Sequence, residues 1–445
     1  MAIRYELDTI SSIATPLGKG GVAIVRLSGN DSFPIIKKMF SVGKITPGKI
    51  LHGWIKDEEQ LVDEVVVLPF KNPNSYTGED IIEIQCHGGI NIVNKILELT
   101  IKNGARLAQR GEYTKRAFLN HKIDLSQAEA VLDLIDAKTT DFAVKSAKNL
   151  SGKLSLEVKN IRDDLFNLYS LIIAAVDFPE DVKEPEYEVL EEKVDTSLEK
   201  INKILSFSKS SNVLRQGIKI AIVGRPNVGK SSLFNTLLNL DRAIVTEIAG
   251  TTRDVIHETF DVDGIAATII DTAGIREGDD VDKVESIGID YTKKCIEDSD
   301  IVLFLYDLTQ GFIKEDEEIF ETVQNKPYIK VATKKDIAQN IEDDVFCIST
   351  KTGENIDLLK QKIKNIVVEN NDIESEFITN QRQQECLSRA KEALNQALFG
   401  IQSQQIQDLI SIDIKSALMH VSEVSGEVIT DEVLDNIFDN FCIGK

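Results

Sequence analysis

No run of apolar residues in this 445-residue sequence approaches the ~18–20 needed to cross a bilayer, so no membrane-spanning helix is expected. The opening MAIRYELDTI has no apolar signal core, and secretion is not expected either. Cysteine is sparse: Cys86, Cys295, Cys347, Cys386 and Cys442 form no close pairs. That argues against a disulfide framework or a zinc knuckle and suits a reducing, cytoplasmic setting. Histidine is equally thin, with five scattered residues and no metal-binding cluster. Positive charge is in deficit, the net charge being -22, whereas a protein that binds RNA by bulk charge would be basic. Any nucleic-acid contact must use a local patch or be delivered by a partner. The acidic stretch Asp177–Asp195 reads as a solvated loop and helix face.

What is present falls into three textures. Residues 1–122 mix short β-like runs (Val22–Leu27, Val65–Leu68, Ile81–Ile84) with turn signals at Gly18–Gly21, Pro73–Asn74 and Gly88–Gly89, the pattern of an α+β domain. From residue 124 a helical period takes over. Leu150, Leu154, Val158, Ile161, Leu165, Leu168 and Ile172 step by three or four, placing one apolar stripe on a long helix. A similar stripe returns at Leu387, Ala390, Leu394, Leu398 and Ile401. The simplest arrangement packs the two helical segments together with an inserted domain between them; separate helical units are the alternative. Between them, strand candidates Ile218–Val223, Ala267–Ile270, Ile301–Tyr306, Tyr328–Ala332 and Val345–Ile348 alternate with helices, implying βαβ units and a mostly parallel sheet covered on both faces. The expected divisions are 1–122, 123–213, 214–369 and 370–445.

The strongest motif is GRPNVGKSS at 224–232, which follows a buried strand and opens a helix. Gly224 and Gly229 let backbone N–H groups wrap phosphates, with Asn227, Val228 and Ser232 lining the same loop. Lys230 neutralises the β and γ phosphates and Ser231 offers a hydroxyl to magnesium. DTAG follows at 271–274: Asp271 suits the magnesium shell, and the Gly274 N–H meets the γ phosphate beside Thr272 and Ala273. In the intervening segment 246–252 (Thr246, Glu247, Ile248, Ala249, Gly250, Thr251, Thr252), Thr252 would complete the magnesium coordination. Asp336 in TKKD (333–336) accepts two hydrogen bonds that guanine can donate and adenine cannot, with Lys334 beside it. Ser349, Thr350 and Lys351 support the guanine carbonyl.

Motif order and spacing resemble the small GTPases, with two departures. Thr333 stands where the base-reading motif usually has Asn. Ile275 stands where Ras-like enzymes carry a water-positioning Gln, and a branched alkyl group orients no nucleophile. Two groups stand in as candidates: Asn227, as ligand of a monovalent cation, and Glu285, as the group that orients water. The bland alternative for Glu285 is a solvated helix residue.

With the flanking segments included, the whole chain resembles the MnmE (TrmE) family of tRNA modification GTPases. The resemblance rests on TISSIATPLGKGGVAIVRLSG (9–29), PNSYTGEDIIEIQCHGG (73–89), RGEYTKRAFLNHKIDLSQAEAVLDLI (110–135), DFPE (177–180) and FCIGK (441–445). It implies an α/β and α+β multidomain architecture: a Ras-like P-loop GTPase domain inserted into a helical domain, preceded by an α+β domain that binds 5-formyl-tetrahydrofolate and dimerises. By motif, the folate contacts fall on Arg26, Glu83, Lys122 and Lys445. The local cluster Arg106, Arg110, Lys115, Arg116 and Lys122 is basic, as an anion site would be. The resemblance further assigns potassium to Asn227, Thr246, Ile248 and Thr251, magnesium to Ser231 and Thr252, and catalysis to Glu285 with Lys230. It implies an FAD-dependent MnmG-type partner forming a heterotetramer, and modification at position 5 of the wobble uridine of certain tRNAs with an aminomethyl or carboxymethylaminomethyl group. FAD chemistry would belong to the partner, since the chain has no G-x-G-x-x-G of its own. Cys442 would lie near this chemistry, as nucleophile or as structure. Two rivals share parts of the pattern: a ribosome-assembly GTPase of the Era or Der type, and a folate-responsive GTPase switch.

Overall fold

The computed structural model describes residues 8–240, 259–270, 293–338, 345–368 and 377–445. The chain divides into two compact units, residues up to Leu132 with Val421–Lys445, and Asp133–His420.

In the first unit, strands β1 (Ile10–Ile13), β2 (Gly20–Ser28), β3 (Leu51–Asp57), β4 (Gln60–Phe70), β5 (Ile81–Gly88) and β6 (Arg106–Leu107) form one sheet in the order β3-β4-β5-β2-β1-β6. The β1–β6 pair is parallel; the other pairs are antiparallel. Strand side chains alternate between faces. One face of β2 and β5 carries Val25, Leu27, Ile82 and Ile84, and it packs under α1 (Ser32–Met39) and α2 (Ile90–Lys102) with Ile36, Val93 and Ile96. The alternate positions, Arg26 and Glu83, sit opposite each other in register and face away from that core. Two helices follow, α3 (Glu112–Leu119) and α4 (Leu125–Ile135).

In the second unit, α5 (Thr140–Leu150), α6 (Lys153–Asp177) and α7 (Tyr187–Ser206) are followed by α8 (Ser208–Gln216), which leads into the nucleotide-domain strands. The expected single long stripe is interrupted between Leu150 and Leu154. Gly152 has φ 92°, a left-handed conformation that ends α5 and caps α6. Leu154, Val158, Ile161, Leu165, Leu168 and Ile172 are buried along α6 as the spacing requires.

Strands β7 (Ile218–Val223), β8 (Thr259–Val262), β9 (Ile265–Ile270), β10 (Ile301–Asp307) and β11 (Tyr328–Thr333) form a second sheet in the order β11-β10-β7-β9-β8. All pairs are parallel except the β8–β9 hairpin, so the sheet is mostly parallel. The segment Val345–Ile348 joins its edge through one parallel bridge, Ala332 to Cys347. Alternating residues of β7 and β10 enter two separate cores, Ile220, Ile222, Leu303 and Leu305 on one side, Ala221, Val223, Phe304 and Tyr306 on the other. Both faces are therefore covered, as the near-continuous apolar strands require. Helix α9 (Lys230–Leu240) follows β7, α10 (Lys314–Glu321) follows β10, and α11 (Ile356–Val368) closes the domain.

Then come α12 (Gln381–Gln402), which bears the second apolar stripe, α13 (Gln407–Ser425), and α14 (Asp431–Phe438). The two helical segments meet through α7. Helix α7 packs against both α6 and α12, burying its own row Leu190, Val194, Leu198, Ile201 and Ile204. That row hides within an acidic, outwardly solvated sequence. Segment 421–445, read from sequence as part of the second helical segment, clusters with the first unit, where α14 packs on α3.

Candidate functional site

The carboxyl ends of β7, β10 and β11 lie side by side, and each delivers a polar element to the same edge, where open parallel sheets bind ligands. After β7 comes the P-loop. Gly224 has φ 153°, and a Cβ there would strike the carbonyl oxygen of Leu305 on β10, so the loop passes tightly over its neighbour only with glycine. Asn227 at φ 62° and Gly229 at φ 102° continue the left-handed turns that point backbone N–H groups inward. Lys230 Nζ donates to Gly224 O at 2.8 Å and Arg225 O at 2.7 Å. Two of its three donors thus hold the ammonium over the loop, leaving one for an anion. Burial lowers the Lys230 pKa, a cost that phosphate charge would relieve. Ser231 and Ser232, on the first turn of α9, are exposed, as is Asn227, while Val228 is buried.

The base-reading segment starts at the end of β11. Thr333 is buried, and its hydroxyl lies 2.5 Å from Val228 O in the P-loop and 3.1 Å from Tyr306 O. Threonine at this position thus ties strand end to phosphate loop with a single hydroxyl. Asp336 is exposed and accepts a hydrogen bond from Ser349 Oγ at 2.8 Å, so its carboxylate is oriented yet accessible. Thr350 O lies 3.4 Å from Thr236 Oγ1 on α9, and Lys351 is exposed. Lys334 Nζ meets Asp307 Oδ2 at 2.6 Å. The structure therefore brings Lys230, Thr333, Lys334, Asp336 and Ser349 to one edge. Residues 246–252, 271–274, Ile275 and Glu285 lie outside the described residues.

A second candidate site lies in the N-terminal unit. Arg26 Nε and Nη2 reach Glu83 Oε1 at 2.9 and 2.8 Å, and Arg26 Nη1 reaches Gly444 O at 3.2 Å. The guanidinium lies 5.5 Å from the Tyr113 ring centroid and 5.9 Å from that of Tyr76. A cavity of about 360 Å³ is lined by Phe70, Asn74, Ser75, Tyr76, Ile81, Glu83 and Lys122. Lys122 Nζ donates to Pro73 O at 3.0 Å, and burial raises the Tyr76 pKa. Tyr113 N donates to Lys445 O at 3.2 Å, which brings segment 441–445 beside this region. Cys442 is exposed. The cavity takes its aromatic wall from Phe70 and Tyr76, which the sequence pattern alone does not single out.

Three residues of the basic cluster, Arg106, Lys115 and Arg116, are paired with carboxylates, while Arg110 is exposed. Arg116, only 1% exposed, pairs with Asp8, Glu79 and Glu112 at 2.8, 3.1 and 2.9 Å. Arg106 pairs with Asp8 and Glu112, and Lys115 with Asp435. A positive charge with no carboxylate beside it would be costly to bury, so these cations are neutralised within the fold. Lys122 is the cluster member that lines the cavity.

Comparison with known proteins accords with this layout. A family model described as the MnmE helical domain matches residues 125–442, and one described as the GTP-binding protein TrmE N-terminus matches residues 9–122. The tRNA modification GTPase MnmE of Caldicellulosiruptor saccharolyticus is 42% identical over 99% of this chain and 100% of its own length. The chain belongs to the MnmE family of tRNA modification GTPases. MnmE from Clostridioides difficile is 41% identical over 98% of this chain and 99% of its own, and that from Thermoanaerobacter pseudethanolicus 43% over the same shares. Among solved structures, Aquifex aeolicus Era bound to GDP and aluminium fluoride is similar at 28% identity over 40% of this chain and 66% of that one, with a TM-score of 0.28. The nucleotide domain lies inside the span of the helical-domain match. No helix among the described residues is long and apolar enough to cross a membrane.

Proposed function

We propose that this protein is a potassium-activated GTPase that works with an FAD-dependent partner to modify position 5 of the wobble uridine of certain tRNAs, using a one-carbon unit carried on tetrahydrofolate. The observation that carries the nucleotide reading is the convergence of Lys230 and Asp336 on one sheet edge, locked by the Thr333–Val228 contact. Lys230 holds the β and γ phosphates while Asp336 accepts the guanine N1–H and 2-amino hydrogens. Ser231 and Asn227 present an exposed hydroxyl and amide on the loop, an oxygen donor set that suits magnesium and potassium respectively. Held there, magnesium and potassium would supply positive charge against the phosphate oxygens. Glu285 orients the attacking water in place of the glutamine that Ile275 displaces. Thr246, Ile248 and Thr251 would complete the potassium shell and Thr252 the magnesium shell.

The N-terminal cavity supports a folate. Its volume of about 360 Å³ suits a ring system, the Tyr76 and Phe70 walls suit a pterin face, and Glu83 is an acceptor for pterin donors. Lys122 and Lys445 supply positive charge toward an anionic tail, and Arg26 holds the Glu83 carboxylate in place for the pterin. Two copies of the chain associate, and the nucleotide domains meet face to face during turnover.

The test is GTP turnover in matched potassium and sodium buffers over a range of protein concentration, with the wobble nucleoside weighed in a deletion strain. The expected result is faster turnover in potassium, a specific rate that rises with concentration, and loss of the modified nucleoside. Equal rates in both salts from a monomer would remove the potassium reading. An unchanged nucleoside would favour the folate-responsive switch.

A further inference from the structure

One buried carboxylate at the nucleotide edge is not used by the reading above. Asp307 ends β10, in register with Thr333 at the end of β11, and is only 2% exposed. Its Oδ1 accepts from Thr309 N at 2.9 Å and Thr309 Oγ1 at 2.6 Å, and its Oδ2 meets Lys334 Nζ at 2.6 Å. Lys334 is the second residue of TKKD and has φ 61°, a conformation that a lysine adopts only when its surroundings hold it there. Its side chain is 35% exposed, with its charged end on Asp307. Thr333 on one side is fixed to the P-loop and Asp336 on the other to Ser349. The lysine stem is thus the remaining movable part of the base-reading segment.

We infer that Asp307 is a positioning residue for guanine recognition: it anchors the Lys334 ammonium so that the alkyl stem forms a fixed wall beside the base that Asp336 reads. This rests on the nucleotide reading of the edge. The electrostatics agree. Burial pushes the Asp307 carboxyl up, but its hydrogen bonds with Lys334 and Thr309 outweigh that and hold it below the ordinary aspartate value, so it is ionised at neutral pH. A buried anion in direct contact with a lysine ammonium makes a sharp double-mutant test, because removing either partner alone deprives the other of that contact.

The experiment uses the full chain with Asp307→Asn, Lys334→Met and the double variant. Binding of N-methylanthraniloyl-GDP is titrated, and melting is followed without nucleotide. Asp307→Asn is expected to weaken binding about tenfold. The double variant is expected to bind no more weakly than Lys334→Met alone. Lys334→Met is expected to melt below wild type, and adding Asp307→Asn to restore part of the loss. If the two binding losses multiply, or the double variant melts no higher than Lys334→Met, Asp307 does not act through Lys334 and the inference is overturned. The melting comparison decides the matter even if Asp307→Asn alone fails to fold. Wild-type protein that binds no guanine nucleotide would instead overturn the nucleotide reading itself, a result distinct from multiplied losses.

Discussion

Thr333 shows how one atom couples two parts of a site. Its hydroxyl proton has the carbonyl oxygens of Val228 and Tyr306 within reach, both in a buried setting. Thr333→Val keeps the shape and removes the donor, so about 1–3 kcal/mol of stability should be lost, together with GDP affinity. Denaturant unfolding and nucleotide titration of the same variant check this, and an affinity loss without a stability loss would argue against the bridge. The ion network around Arg116 gives a pH prediction. Hydrogen bonding from Arg106 outweighs burial to hold the Asp8 carboxyl low; Glu112 is likewise held below its ordinary value, burial being outweighed by Arg106, the Gln109 N–H and Arg116. Both pKa values are lower folded than unfolded, so their contribution is complete above the ordinary carboxylate range of about 4 and is lost as pH falls through the depressed values. Melting temperature should drop most steeply below about pH 4, and Glu112→Gln should flatten that slope.

One close contact joins α5 to the sheet of the nucleotide domain. The β8–β9 hairpin turns at Gly264, with φ 93° and its N–H on Asp261 Oδ1 at 2.6 Å. A Cβ at Gly264 would collide with the Asp141 carboxylate on the first turn of α5. Nearby, Phe142 of α5 is buried in the same core as Phe260, Val262 and Ile265 of the hairpin. Gly264→Ala should therefore cost more than the usual ~1 kcal/mol of a left-handed glycine, because Asp141 must also move. Calorimetry of Gly264→Ala beside the double variant with Asp141→Ala measures it, and partial recovery in the double variant is the expected outcome. On α6, Leu165 is fully buried in the row that faces α7. Leu165→Ala should cost about 2–5 kcal/mol by chemical denaturation, whereas the exposed Leu156 on the same helix should cost little.

Across the whole molecule, a local motif and a distant partner are read with very different ease. GRPNVGKSS carries its chemistry within nine consecutive residues, and five strand candidates of the nucleotide domain appear as apolar runs because both faces of that sheet are covered. TKKD was equally plain. The α7 row was not, since acidic neighbours mask its stripe, and β8 was missed because four residues ahead of a turn give too short a period. Of the aromatic cavity wall, Tyr76 lies within PNSYTGED, where turn chemistry dominates the pattern, and Phe70 ends β4.

Order along the chain is enough to establish a P-loop, a base-reading carboxylate and the apolar periods of the helices, because each depends on residues a few positions apart. Which charges are spent within the fold, and which remain for a ligand, follows from sheet register and helix packing. Arg116 finds Asp8 across 108 residues, and Thr333 finds Val228 across 105. Closing loops of that length costs entropy that packing elsewhere must offset, and no local spacing encodes such pairs.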